Sequence, residues 1–283
     1  MKAIELLAPV KDYTCGCAAI DCGADALYVG PPRFGARVDA GVSLSDIERL
    51  CGYAHRFGVR VFATMNTLLY ESELKEAERL ANDVCRAGVD GLIVQDMAFL
   101  RMDLPPVELH ASTQIFTMTP ERARFWSDVG FTRINLERAA TLEEIRAVAQ
   151  AVPDTEIEVF VHGAICVSYS GRCYMSRSMS PRSGNRGACL QACRLPFDLL
   201  DESGKRLMTG KHLLSVRDMN RGEYLEALVD AGVTSFKIEG RLKDINYVRN
   251  VVGYYRNRLD ALIERRGDLQ RSSQGKTVLG FTP

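Results

Sequence analysis

The sequence predicts an α/β chain folded as a (β/α)8 TIM-like barrel, with a cysteine-rich insertion between strands seven and eight. Two observations carry this expectation. Short apolar runs alternate with amphipathic segments along the whole chain, which is the pattern of parallel strands joined by helical crossovers. Eight such runs can be counted, the number a closed barrel requires. An open doubly wound sheet is the alternative, because periodicity does not report closure.

Taken in order, strands are expected at Ile4–Ala8, Ala26–Gly30, Val59–Met65, Gly91–Val94, Val107–Ala111, Arg133–Leu136, Glu158–Val161 and Phe236–Glu239. Helical stretches such as ESELKEAERLANDVCRAG and TLEEIRAVAQAV lie between them, with apolar residues at intervals of three and four. Gly23, Gly58, Gly88, Gly130 and Gly232 stand where left-handed C-caps would end helices. Thr141 followed by Glu144 has the form of a capping box. The alternation is interrupted once, after strand seven, where PFDLLDESGKRLM reads as a β-hairpin around Ser203-Gly204 and EYLEALVDAGV as a helix. The chain therefore divides into residues 1–163 with the first seven strands, an insertion over 164–222, the last strand and its helices over 223–267, and a tail over 268–283. The tail turns from polar to apolar and is expected to lead into a further region.

Composition limits the function. Of 283 residues, 36 are basic and 36 acidic, so a polyanion has to be gripped by a local patch and not by a global field. No apolar run approaches the roughly 20 residues that span a bilayer, and Glu5 interrupts the first apolar run, which is unlike a signal peptide. A cytoplasmic location without membrane attachment is expected, where clustered thiols more often bind metal than form disulfides.

The segment HGAICVSYSGRCYMSRSMSPRSGNRGACLQACRLP, residues 162–196, carries no aspartate or glutamate. Its cysteines follow the spacing Cys166-x6-Cys173-x15-Cys189-x3-Cys193. Serine, glycine, arginine and asparagine surround them, so no apolar core is on offer to bury four thiols. A tetracysteine site for structural zinc or an iron–sulfur cluster explains them better. Only the second pair is tight; that loosens the zinc case, although spacing alone leaves the two nearly even. Cys15, Cys17, Cys22, Cys51 and Cys85 fall on expected helices and read as ordinary packing thiols. The segment's arginines, among them Arg177, Arg182 and Arg186, are suited to offset cluster charge or to hold phosphate, including RNA phosphate.

Barrel enzymes place their chemistry at the C-terminal ends of the strands. Those ends carry Asn66, Gln95, Asp96, His110, Ser112, Thr113, Glu137, Arg138, His162, Lys237, Glu239 and Arg241. His162, His110 and Glu239 are the candidate acid/base groups. Arg138 and Arg241 are candidate carboxylate clamps, with Lys237, Asn66 and Arg37 as further substrate contacts. Neither H-E-x-x-H nor G-x-S-x-G occurs, which argues against the familiar zinc and serine peptidase chemistries.

EVFVHGAICVSYSGRCYMS, residues 158–176, resembles the signature of the collagenase-like peptidase U32 family through Glu158, Phe160, Gly163-Ala164-Ile165-Cys166 and Gly171-x-Cys173-x-Met175-Ser176. PRFGAR, PPVELHAST, NRGACLQACRLP, KHLLSVRDM and FKIEGRLKD extend the likeness, closest to the family's RNA-hydroxylating branch. The resemblance implies that Cys166, Cys173, Cys189 and Cys193 ligate a [4Fe–4S] cluster. It also implies 5-hydroxylation of a cytidine in 23S ribosomal RNA or its precursor, with prephenate, a small dicarboxylate, as co-substrate. The family's name preserves an older peptidase assignment, which stands as the competing activity, and a non-catalytic iron–sulfur partner subunit is a third reading. The family's RNA hydroxylases continue into additional C-terminal domains.

Overall fold

The computed structural model describes residues 1–273. Eight parallel strands close a ring: β1 (Lys2–Val10), β2 (Ala26–Val29), β3 (Arg60–Met65), β4 (Gly91–Val94), β5 (Glu108–Ala111), β6 (Arg133–Asn135), β7 (Glu156–Gly163) and β11 (Ser235–Ile238), with β11 pairing back onto β1. The closed barrel is therefore observed and the open sheet is excluded. Helices α1 (Tyr13–Asp21), α2 (Leu44–Ala54), α3 (Leu74–Arg86), α4 (Pro120–Asp128) and α5 (Leu142–Ala151) form the outer layer with α7 (Leu225–Asp230) and α8 (Ile245–Arg266). The β4–β5 crossover holds only a 3-10 turn, Met97–Leu100. Pro105 and Pro106 follow it closely, and proline cannot continue a helix.

The local signals act as expected. Thr141 and Glu144 form a reciprocal capping box at the start of α5, and the five proposed cap glycines all adopt positive φ. The insertion contains α6 (Met175–Met179) and a hairpin of β8 (Phe197–Leu200) and β9 (Arg206–Lys211), and returns through β10 (Met219–Asn220), which pairs antiparallel with the end of β7. The tail departs from expectation at its start: Leu269–Arg271 form β12, parallel to the beginning of β1. The cause is the buried Asp25 carboxylate, which accepts hydrogen bonds from Arg256, Arg271 and Ser273 at 2.8, 2.9 and 2.6 Å. The apolar end of the tail lies outside the described residues. Among the described residues no helix is long and apolar enough to cross a membrane.

Outward-facing strand residues such as Leu6, Val29, Val61 and Val161 merge with the helices in one large core. The lumen holds a smaller apolar layer of Leu7, Ala26, Tyr28, Phe62 and Ile93. Around that layer the barrel is charged. Arg133, 1% exposed, donates to Glu5 at 2.6 Å, to Glu158 at 3.3 Å and to Glu156 at 2.7 Å. Arg60 also reaches Glu5 at 2.7 Å, and Lys237 donates to Glu158 at 2.7 Å. Burial alone would raise the Glu5 carboxyl, but the charges and hydrogen bonds of Arg133 and Arg60 hold it at about 2, below its ordinary 4.5. A carboxylate depressed in the folded state contributes stability that is complete above about 4.5 and is lost as pH falls towards 2. Urea titrations through that window should show Glu5 removing on the order of 3 kcal/mol of stability. Glu5→Gln, less stable at pH 7, should lose its remaining stability over a shallower slope; a slope equal to wild type would contradict this role.

Candidate active site at the barrel mouth

At the C-terminal end of the barrel a carboxylate is surrounded by guanidinium groups. Arg138, on the loop after β6, donates to Glu239 at 2.7 Å, and Arg37 on the β2–α2 loop approaches the other Glu239 oxygen at 3.8 Å. Arg241, 5% exposed, donates to Thr64 Oγ1 at 2.5 Å. Burial pushes the Glu239 carboxyl up, but Arg37, Arg138, Arg241 and Lys237 together hold it below its ordinary value. Burial lowers Arg241, partly offset by Tyr28 and Glu239. Three arginines thus share one carboxylate, leaving excess positive charge at the mouth.

The loop bearing Arg37 is pinned over the barrel. Asn66 Oδ1 accepts from the Ala36 N–H at 2.9 Å, its Nδ2 donates to Ser112 Oγ at 3.0 Å, and Thr67 Oγ1 donates to the Phe34 carbonyl at 3.1 Å. The cysteine segment then lies against these same loops. The Ser170 N–H donates to Glu137 at 3.1 Å, and Ser170 Oγ receives Thr113 Oγ1 at 3.3 Å and Arg138 Nη1 at 3.4 Å. Two glycines allow the close approach. A Cβ on Gly171 would stand 2.0 Å from the Gln114 carbonyl oxygen, and one on Gly187 2.4 Å from that of Gly35, both at positive φ.

All nine cysteines are free. Cys166 and Cys189 are exposed, while Cys173 and Cys193 are partly buried. Burial raises the Cys193 thiol first, Arg194 opposes this, and charge on Cys189, Cys166 and Cys173 adds to the rise. Cys193 therefore lies within electrostatic reach of the other three. Among the described residues no group of three or more His, Cys, Asp or Glu side chains is placed to hold a metal ion. The donor set nevertheless suits a thiolate-held cluster: four free thiols share a segment without carboxylates, and Cys189 Sγ accepts from the Gln191 N–H at 3.3 Å. By contrast Cys15 and Cys51 are buried on helices, where burial pushes their thiols to about 11 and about 12.

Arg37, Arg138, Arg241 and Glu239 are brought together, with Lys237 one layer below on Glu158, its ammonium 4.5 Å from the Tyr28 ring centre. Asn66 spends its amide on positioning the Arg37 loop. The two histidines stand elsewhere than expected. His110 is buried inside the barrel, bonded to Glu108 at 3.0 Å and packed edge-on to Phe62. It is paired in register with Arg133, a layer beneath the mouth. His162 follows a bulge in which Lys237 pairs with Phe160 but Ile238 with His162. The extra residue turns its ring outward to Tyr255 Oη at 3.3 Å and beside Tyr247 on α8. Burial lowers the pKa of both histidines.

The segment's arginines divide by role. Arg186 is held by Glu73 at 2.7 and 2.6 Å, and Arg182 by the Ala188 carbonyl at 3.1 Å. Arg177 is exposed and bonds the Pro181 carbonyl at 3.0 Å. Sequence reasoning missed Tyr28 and Ser170. Tyr28 sits within an apolar strand run, where only alternation could have turned it to the lumen, and nothing local marks Ser170.

A model of Peptidase family U32 matches residues 11–278. The chain belongs to the peptidase U32 family. The 23S rRNA 5-hydroxycytidine C2501 synthase of Escherichia coli (strain K12) is 54% identical over 280 residues, which is 99% of this chain and 43% of that protein. The tRNA hydroxylation protein P1 of Bacillus subtilis (strain 168) is 34% identical over 270 residues, 92% of this chain and 64% of that protein. This U32 chain therefore spans less than two thirds of either relative. The solved U32 peptidase Mk0906 shares its fold with a TM-score of 0.56 at 16% identity, covering 85% of this chain and 94% of that one.

Seating of the cysteine segment depends on Gly171. Gly171→Ala should leave the barrel's helical circular dichroism intact while limited proteolysis cuts within residues 164–218 at least several-fold faster. An unchanged cleavage rate would show that the close approach at Gln114 is dispensable.

Proposed function

We propose that this chain is the barrel portion of an iron–sulfur-dependent RNA hydroxylase that converts a cytidine of 23S ribosomal RNA to 5-hydroxycytidine. The observation that carries the reading is the hydrogen bonding of Ser170 to Arg138 and Glu137, which seats an acid-free cysteine segment on an arginine-rich mouth. Identity of 54% to a 23S rRNA 5-hydroxycytidine synthase over nearly the whole chain supports the same reaction, and the tRNA hydroxylation relatives support RNA as the substrate class.

Cys166, Cys173, Cys189 and Cys193 would hold a [4Fe–4S] cluster, which supplies one-electron chemistry when bound. Arg37, Arg138 and Arg241 bind the carboxylates of a small dicarboxylic co-substrate, prephenate in this reading, because planar guanidiniums match carboxylate geometry. Glu239 keeps the three guanidiniums apart and aligned until the co-substrate competes for them. Glu239 is also the acid/base candidate whose position at the mouth favours it over His110 and His162. Among the arginines first considered for RNA, Arg177 and Arg182 donate to backbone carbonyls, and Arg186 is the one paired with a carboxylate. Arg186 stabilises the segment through Glu73.

A strain lacking its own hydroxycytidine synthase tests this directly. Complementation with a gene encoding this chain, fused to the remaining length of the E. coli relative, should restore 5-hydroxycytidine measured by mass spectrometry of 23S RNA. Cys166→Ser should abolish the modification and lower iron content, whereas Cys15→Ser and Cys51→Ser should do neither. Equal iron loss in both classes would refute the ligand assignment. Unmodified RNA from the wild-type fusion, with gelatin cleavage by the purified protein, would assign the peptidase activity instead.

A further inference from the structure

Outside the arginine clamp, the mouth carries a second feature that no catalytic role absorbs. The loop after β5 ends in Phe116, a non-glycine residue held at φ 63°, the left-handed region where bulky side chains are strained. Its ring stands 4.9 Å from that of Tyr169, which is 53% exposed on the cysteine segment. Two guanidiniums flank the pair, Arg172 at 5.5 Å and Arg122 at 5.8 Å from the Phe116 ring centre. The turn that presents Tyr169 and Arg172 is closed by the Arg172 N–H donating to the Tyr169 carbonyl at 3.1 Å. Gly171, within that turn, is the residue pressed against Gln114, so the aromatic pair is fixed to the barrel.

Arg122 continues the feature onto α4. It is anchored by a hydrogen bond to the Ile115 carbonyl at 3.0 Å and lines a groove of about 400 Å³ with Glu121, Phe125 and Trp126. That volume lies in the range of small-molecule sites. Phe125 is 47% exposed, and Trp126, 7% exposed, has a buried Nε1–H without a partner among the described residues. Glu121 is the carboxylate lining the groove, and it is engaged by its own backbone N–H and Thr119. The strip thus joins exposed aromatic faces and two cations, and runs into a segment free of acids.

We propose that this strip, from Phe125 and Trp126 through Arg122 and Phe116 to Tyr169 and Arg172, binds an unpaired RNA strand beside the cysteine segment. Base stacking on Tyr169 and Phe125 and phosphate pairing with Arg172 and Arg122 supply the affinity, a combination that suits single strands and not duplexes. The proposal rests on the RNA-modifying reading and adds to it the path the strand takes: the target nucleotide is drawn from unpaired RNA, next to Cys166 and Cys173.

Fluorescence anisotropy of the 283-residue chain with a short labelled single-stranded RNA, and with the same strand in a duplex, tests it. The single strand should bind more tightly than the duplex. Tyr169→Ala and Phe125→Ala should each weaken it roughly tenfold, and Tyr169→Phe, which keeps the ring, should bind like wild type. Arg172→Ala should reduce the slope of log affinity against log salt by about 0.7. Arg265→Ala, which removes an exposed charge on α8 paired with Glu226 of α7, should change nothing. Wild-type binding that survives Tyr169→Ala and Phe125→Ala would overturn the strip and leave the RNA-modifying reading standing. A wild-type chain that binds no RNA would overturn the strip as well, and complementation would then decide the reading by itself.

Discussion

Arg133 lies almost without solvent exposure inside the barrel and reaches carboxylates on two strands, Glu5 on β1 and both Glu156 and Glu158 on β7. Removing a charge from water costs several kcal/mol per ion, so each member needs its partners in place. Glu5 is shared with Arg60 and Ser235, and Glu158 with Lys237 and Asn135. A strand slipped by one residue would turn these groups into the apolar outer layer and leave them unpaired. The charged lumen therefore fixes the register of the strands whose ends build the mouth.

The same logic continues one layer up with the balance reversed. Below, the carboxylates Glu5, Glu108, Glu156 and Glu158 face the cations Arg60, Arg133 and Lys237; at the mouth three arginines share Glu239. That local excess reconciles a net charge of zero with a site suited to anions. Arg138 couples the two parts of the mouth, because it bonds Glu239 through one nitrogen and Ser170 of the cysteine segment through another. A carboxylate that displaces Glu239 from Arg138 would act on the segment through a single side chain.

Much of the fold was legible because its signals are local. Strand runs, the Thr141–Glu144 box, the cap glycines and the hairpin at Ser203-Gly204 each depend on residues a few positions apart. The clustering of Arg37, Arg138 and Arg241 at the mouth was legible from the rule that barrel chemistry gathers at strand ends. The histidines were not. Strict alternation would put His162 on the same face as Phe160, and a bulge of one residue turns it out to α8 instead. His110 lies one layer too low because strand length does not report depth in the barrel. Arg186 read as a phosphate contact because its partner, Glu73, lies 113 residues earlier. Asp25 hid the β12 tether in the same way, through Arg271 and Ser273 at a separation of 246 and 248 residues.

The central claim is that the arginine clamp and the cysteine segment form one site. Electron paramagnetic resonance of the reduced, anaerobically purified chain, titrated with prephenate, tests it most directly. One site requires the signal to shift with wild type, and to stay fixed with Arg138→Ala at equal iron content. A wild-type signal indifferent to saturating prephenate, while calorimetry shows the compound bound, would place the clamp and the cysteines in separate sites.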